Sequence, residues 1–134
     1  MSELRPYAFV VAAGLFIATG APHASAAGPC MSDKSEKEIA VGQLSIGKAK
    51  DAAGRPERPY ILTLRTPVCL TADDPEDNVD NTRTIHIFSS QDAISRQIAR
   101  FVGKSISVSG RAFPAHTAHH HAPIVMDIGA IEKR

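Results

Sequence analysis

The chain has no tryptophan, two tyrosines and five phenylalanines in 134 residues, and only Tyr60, Phe88, Phe101 and Phe113 fall after residue 26. Proteins that hold nucleic acid combine a basic surface with rings on which bases stack. A formal net charge of +1 and four rings argue against a nucleic-acid partner. Cysteine is scarce too. The two residues, Cys30 and Cys69, are far apart, without the CxxC spacing of a zinc ribbon or a thiol oxidoreductase. No GxSxG, HExxH or phosphate-binding glycine loop is present, so the common nucleophile, metalloprotease and nucleotide-binding motifs are missing. After residue 26 no apolar run is long enough to span a membrane as a helix.

The first 26 residues read as a signal peptide. Arg5 supplies a short basic start, Tyr7 to Ala18 form an apolar run, and Thr19-Gly20-Ala21-Pro22 breaks a helix. Ala24-Ser25-Ala26 offers small residues for a peptidase, which places the cut before Ala27. The apolar run is shorter than the roughly 20 residues a spanning helix needs; a retained N-terminal anchor is the alternative. The expected organisation is a signal peptide, 1–26, and one domain, 27–134, working in the periplasm or after secretion. In that oxidising compartment Cys30 and Cys69 are expected to form a disulfide.

Beyond a small, charged leader over 27–37, hydrophobic patterning predicts strands. Ile39 to Lys48 changes apolar phase at Gly42, which suggests a bulge or bend there. Tyr60 to Thr66 puts Tyr60, Leu62 and Leu64 on one face, and Pro67 is expected to end it. An acidic loop, Asp73 to Asn81, precedes a strand over Thr84 to Phe88. The loop lacks the spacing and glycine of a calcium hand. A helix follows, with Ser90 as its cap, Asp92 in the first turn, and Ile94, Ile98, Phe101 and Val102 on one face. Gly103 supplies its stop. Lys104 to Phe113 alternates Ile106, Val108 and Ala112 with serines that read as a wet face, and Gly110 breaks the run. A last strand covers Ile124 to Ile131.

Three strands, a helix and two strands is the order of a small OB-like five-stranded barrel, all-β with one helix. A helix-covered open sheet is the alternative.

The loop Ala115-His116-Thr117-Ala118-His119-His120-His121-Ala122-Pro123 is the main candidate for function. Four imidazoles, His116, His119, His120 and His121, can bind a transition metal such as Zn or Cu. In an extended chain His119 and His121 point to the same side, and Asp127 is the nearest carboxylate in sequence. The other reading is a polar connection whose rings hydrogen-bond to backbone. His86, between Ile85 and Ile87, reads as a strand-face residue.

Gly103 to Phe113, followed by Ala115 to Ile124, resembles a family of small exported bacterial domains, domain of unknown function 4431. The shared elements are Gly-Lys-x-Val-x-Val-x-Gly-x-x-Phe and Ala-x-Thr-Gly-His-His-His-Thr-Pro-Val. This chain departs from them with Ile106 for valine, Ala118 for glycine and Ala122 for threonine. Tyr60 to Leu64 with Pro67-Val68-Cys69-Leu70 resembles the family's strand before the cysteine. The resemblance supports an exported β-rich domain and assigns no catalytic residue. The function expected is a non-enzymatic binding module for an envelope protein or small ligand. Transition-metal binding through the histidine loop is the alternative, and a hydrolytic enzyme is a third reading.

Overall fold

The five strands predicted from patterning join a short sixth at Cys30 in one six-stranded sheet in the computed structural model, which describes residues 30–134. The expected signal peptide and its cleavage point lie outside the described residues. In chain order the strands are β1 (Cys30–Ser32), β2 (Glu38–Ile46), β3 (Ala49–Lys50), β4 (Pro56–Glu57), β5 (Tyr60–Thr71), β6 (Val79–Phe88), β7 (Ser105–Pro114) and β8 (Ile124–Lys133). One α-helix, α1 (Asp92–Ile98), separates β6 from β7 and continues as a 3₁₀ turn over Ala99–Phe101. The chain is thus mostly β with one helix.

β2 pairs antiparallel with β5 and β7, β5 with β6, and β7 with β8, while β6 and β8 run parallel. Short β3 and β4 pair only with each other. Inward residues of the long strands form the core: Leu44 from β2, Leu62 from β5, Ile85 and Ile87 from β6, Ile106 from β7 and Met126 from β8 have no exposed surface. Burying each such side chain contributes about 1.5–3 kcal/mol. Ile98 is the buried residue of α1, and Ile94, Phe101 and Val102 pack beside it, so the predicted helix face is the one that meets the core.

Cys30 and Cys69 stand opposite each other in a short parallel pairing of β1 with β5 and are joined by the expected disulfide, their Cα atoms 4.4 Å apart. Cys30–Ser32, expected to lie in a loose leader over 27–37, are therefore a sheet strand. Closing a loop of this length contributes about 4 kcal/mol in the chain-entropy model.

Several local expectations are corrected. Gly42 is neither a bulge nor a phase change: it pairs in register with Leu64 on one side and Ile106 on the other. Ala40, Gly42 and Leu44 face inward throughout, whereas Ile39 and Val41 face out, 63% and 42% exposed. A Cβ at position 42 would stand 2.3 Å from the Thr63 carbonyl oxygen, so glycine is there for close strand approach. Gly110 does sit at a bulge. The β7–β8 register steps from Ser109–Ala130 to Gly110–Ile128, leaving Gly129 as the extra residue. Pro67 does not end β5. The strand passes through an irregular stretch between Thr63 and Val68 and continues to Thr71. β6 starts at Val79, well before Thr84. Among the serines of β7, Ser107 is buried, flanked by Val41 and Glu132 on the adjoining strands. The helix cap is Gln91, not Ser90, and has no side-chain cap bond. Instead the Ser90 N–H donates to Asp127 Oδ1 at 2.9 Å, and Ser89 Oγ donates to the Ile128 carbonyl at 2.7 Å, tying the helix start to β8. Gly103 ends the helical segment at φ +82°, as the stop signal implied.

Candidate functional site

The turn chemistry of residues 50–59 builds an arm that carries a carboxylate toward the histidine loop. Asp51 Oδ1 accepts the N–H groups of Ala53 and Arg55, both at 2.9 Å, and its Oδ2 accepts Arg55 Nε at 2.6 Å. Those bonds, the Arg55 backbone N–H first, hold the Asp51 carboxyl below its ordinary pKa. Gly54, at φ +77°, allows the reversal that pairs β3 with β4. Glu57, the last residue of β4, then lies against the loop between β7 and β8.

There the Glu57 carboxylate accepts from two rings, His119 Nδ1 on one oxygen and His121 Nε2 on the other. The contact from His121, then that from His119, pulls the Glu57 pKa below the usual carboxylate range. The sequence reading that His119 and His121 share a side is what this geometry requires. The His121 ring is largely buried, with side-chain exposure of 14% against 65% for His119.

His86, on the outer face of β6, joins the same group. Its Nδ1 accepts the His121 backbone N–H at 3.2 Å, and the two ring centroids lie 5.7 Å apart. A ring nitrogen that accepts cannot carry the proton, so His86 is the Nε2–H tautomer. Burial, followed by repulsion from His121 and His120, pushes its pKa down to about 4, with Glu57 acting weakly in the opposite sense. His86 is therefore neutral near pH 7.

His116 and His120 form a separate pair. The His116 N–H donates to His120 Nδ1 at 3.1 Å, their rings stand edge to face at 4.8 Å, and His116 Nδ1 lies 2.9 Å from the Pro114 carbonyl. Phe113 packs on both rings and meets Phe88 at 6.2 Å, which extends the imidazoles into a patch of aromatic edges. Burial first, then the neighbouring His116, lowers the His120 pKa. The four loop histidines are thus divided: His119 and His121 meet Glu57, and His116 and His120 meet each other. Among the described residues, no group of three or more His, Cys, Asp or Glu side chains is arranged to hold a metal ion. Asp127, the carboxylate nearest the loop in sequence, accepts from Ser90 at the helix start.

Glu57 is the residue that sequence reasoning missed. Its partners are more than sixty positions away, and its immediate neighbours spell only a turn. Residues 84–132 match the family model of a domain of unknown function, DUF4431, which bears out the family resemblance. The matched segment holds α1, β7 and the whole histidine loop, and stops short of Glu57 and both cysteines. No curated protein matches the chain.

Proposed function

We propose that this chain is an exported, non-enzymatic binding module of the periplasm or extracellular medium, built as an OB-like barrel of five long strands with β1 added beside β5. The barrel reading is supported by the pairing circuit, in which β2, β5, β6, β8 and β7 each pair with two others of the set. The position of α1 between the third and fourth of them also fits. Barrels of this type bind ligands on the face of the second and third strands and on the adjoining loops. Here those strands are β5 and β6, and the adjoining loops are the Glu57 arm and the histidine loop.

The observation that carries the proposal is the Glu57 carboxylate held between His119 and His121, with His86 beneath them on β6. It brings hydrogen-bonding groups from three separate segments to one surface. Export is supported by the disulfide. Native mass spectrometry of untagged protein released from the envelope tests the proposal. The expected chain starts at Ala27, is two hydrogens lighter than the dithiol, and carries an adduct that the Glu57→Ala variant loses. A chain retaining residues 1–26, or an adduct indifferent to Glu57→Ala, refutes it.

A second reading is transition-metal binding: the donor types at this contact suit it, but no three side chains of the described residues are arranged as a metal site, so binding requires the loop to rearrange. Two imidazoles and one carboxylate are a donor set that suits zinc or copper. The ligands would then be His119, His121 and Glu57, since His116 and His120 face each other. Protons compete for these ligands, so affinity falls with pH. Zinc at a hundredfold excess over Kd would stabilise the parent by about 2.7 kcal/mol. The His119→Ala/His121→Ala variant would show no such gain by calorimetry. A parent unmoved by zinc and copper sinks the metal reading and leaves the Glu57 contact a structural latch.

A further inference from the structure

β2 is unequally partnered along its length. Its ladder with β7 runs from Glu38 to Gln43, but its ladder with β5 stops at Gly42–Leu64. Extending that register makes Ile39–Pro67 a later pair, and proline has no N–H to give to it. The two strands have already parted after Leu64, where β5 turns irregular, and β5 goes on to pair with β1 at Cys69 to Thr71.

Alternate residues of an antiparallel strand direct both backbone groups to the same neighbour. Leu44 directs its pair to the β7 side, bonding Lys104 O at 3.0 Å and Gly103 N at 2.8 Å. Ile39, at odd spacing from Leu44, turns its N–H and C=O to the β5 side, where the ladder has ended. A cleft of about 1110 Å³ opens there, lined among others by Ile39, Val41, Leu64, Arg65, Thr66 and Val68. The exposed large hydrophobic residues of the described chain, Ile39, Val41 and Ile46, all belong to β2 and line this cleft. Its charged lining residues are Arg65 and Arg134, with no Asp or Glu among them. Arg83, outside the lining, donates to the Arg65 carbonyl.

We propose that this cleft is a docking site for an extended, acidic segment of a partner protein, which lies along β2 as an added strand. The free backbone groups of Ile39 supply strand-to-strand hydrogen bonds, the mode by which extended peptides join a sheet. Ile39 and Val41, on one face of β2, receive alternate apolar side chains. Arg65 and Arg134 favour carboxylates on the incoming strand and disfavour a basic one. This surface is separate from the Glu57–histidine contact, and the proposal does not depend on what that contact binds.

The test titrates the ¹⁵N-labelled, disulfide-bonded exported protein with two capped hexapeptides, one alternating valine with glutamate and the other valine with lysine. The acidic peptide should shift the amides of residues 38–46 and 63–68 saturably and bind about tenfold or more tighter than the basic one. Arg65→Glu should reverse that order. Ile39→Ser, a neutral change at an exposed position that leaves the core untouched, should weaken the acidic peptide about tenfold. Equal binding of both peptides, or an order unchanged in Arg65→Glu, overturns the proposal. So does sedimentation showing that a second copy of the chain occupies the cleft through β2.

Discussion

His86 gives the sharpest test of how the candidate surface is held together. In the fold its imidazole is half-buried, and its Nδ1 accepts the His121 N–H, which only the neutral ring can do. Its pKa falls from 6.5 to about 4, chiefly through burial. The unfolded chain therefore takes up a proton on this residue at higher pH than the folded chain does. His86 contributes in full above about pH 6.5, loses its contribution as pH falls from 6.5 toward 4, and adds no further slope below that. Unscreened, a fall of that size corresponds to about 3.4 kcal/mol. Water at a half-buried ring reduces this to about 1–2 kcal/mol. His86→Asn does not titrate, and its amide oxygen can accept the same N–H. Urea unfolding at a series of pH values should show the parent losing about 1–2 kcal/mol more than His86→Asn between pH 7 and pH 4. The carboxylates with lowered pKa, Glu57, Asp51 and Asp73, lose their contributions at lower pH and are common to both proteins. Superimposable pH profiles would refute the neutral, accepting His86.

Two further predictions concern the scaffold. Ile98→Ala removes the buried side chain of α1 and should cost about 2–5 kcal/mol by denaturant midpoint. Gln97→Ala, which loses only a bond from Nε2 to the Ala93 carbonyl on the outer face, should stay within about 0.5 kcal/mol, and equal midpoints would contradict the assigned face. Gly110→Ala places a Cβ 2.1 Å from the Asp127 carbonyl oxygen and 2.7 Å from Ile128 Cα, backbone atoms that cannot rotate away. It should destabilise by about 1–3 kcal/mol or more, measured by thermal melting, and an unchanged melting temperature would show that the bulge yields freely.

What the sequence revealed follows from the range of each signal. Alternation over Tyr60–Leu64 and Ile85–Ile87, and the helical spacing of Ile94, Ile98 and Phe101, depend on residues a few positions apart, and the structure keeps each of them. β2 misled because its outer residues, Ile39 and Val41, are as apolar as its inner ones. Polarity alone suggested a change of phase, and with it a bulge or bend, at Gly42. Pro67 was read as a strand end because proline stops a ladder, whereas the ladder with β2 already ends at Leu64 and β5 itself continues to Thr71. In the site, the shared side of His119 and His121 was legible from their spacing of two. The carboxylate between them was not, because β4 and the loop before β8 meet only in the folded chain.

The bond between Cys30 and Cys69 makes the first part of the domain a covalent ring. That ring encloses β2, the β3–β4 arm and most of β5. The arm is the most exposed stretch within it, and Lys48 and Lys50, neither followed by proline, are open to solvent at its base. A protease that cleaves after basic residues will meet the arm before it meets the sheet. One cut there opens the ring without releasing either piece, because the new ends remain joined through β1 and β5. The nicked chain keeps its mass on a non-reducing gel and separates only after reduction. Wherever such a protease is met, the disulfide turns a vulnerable loop into a place where damage is survivable.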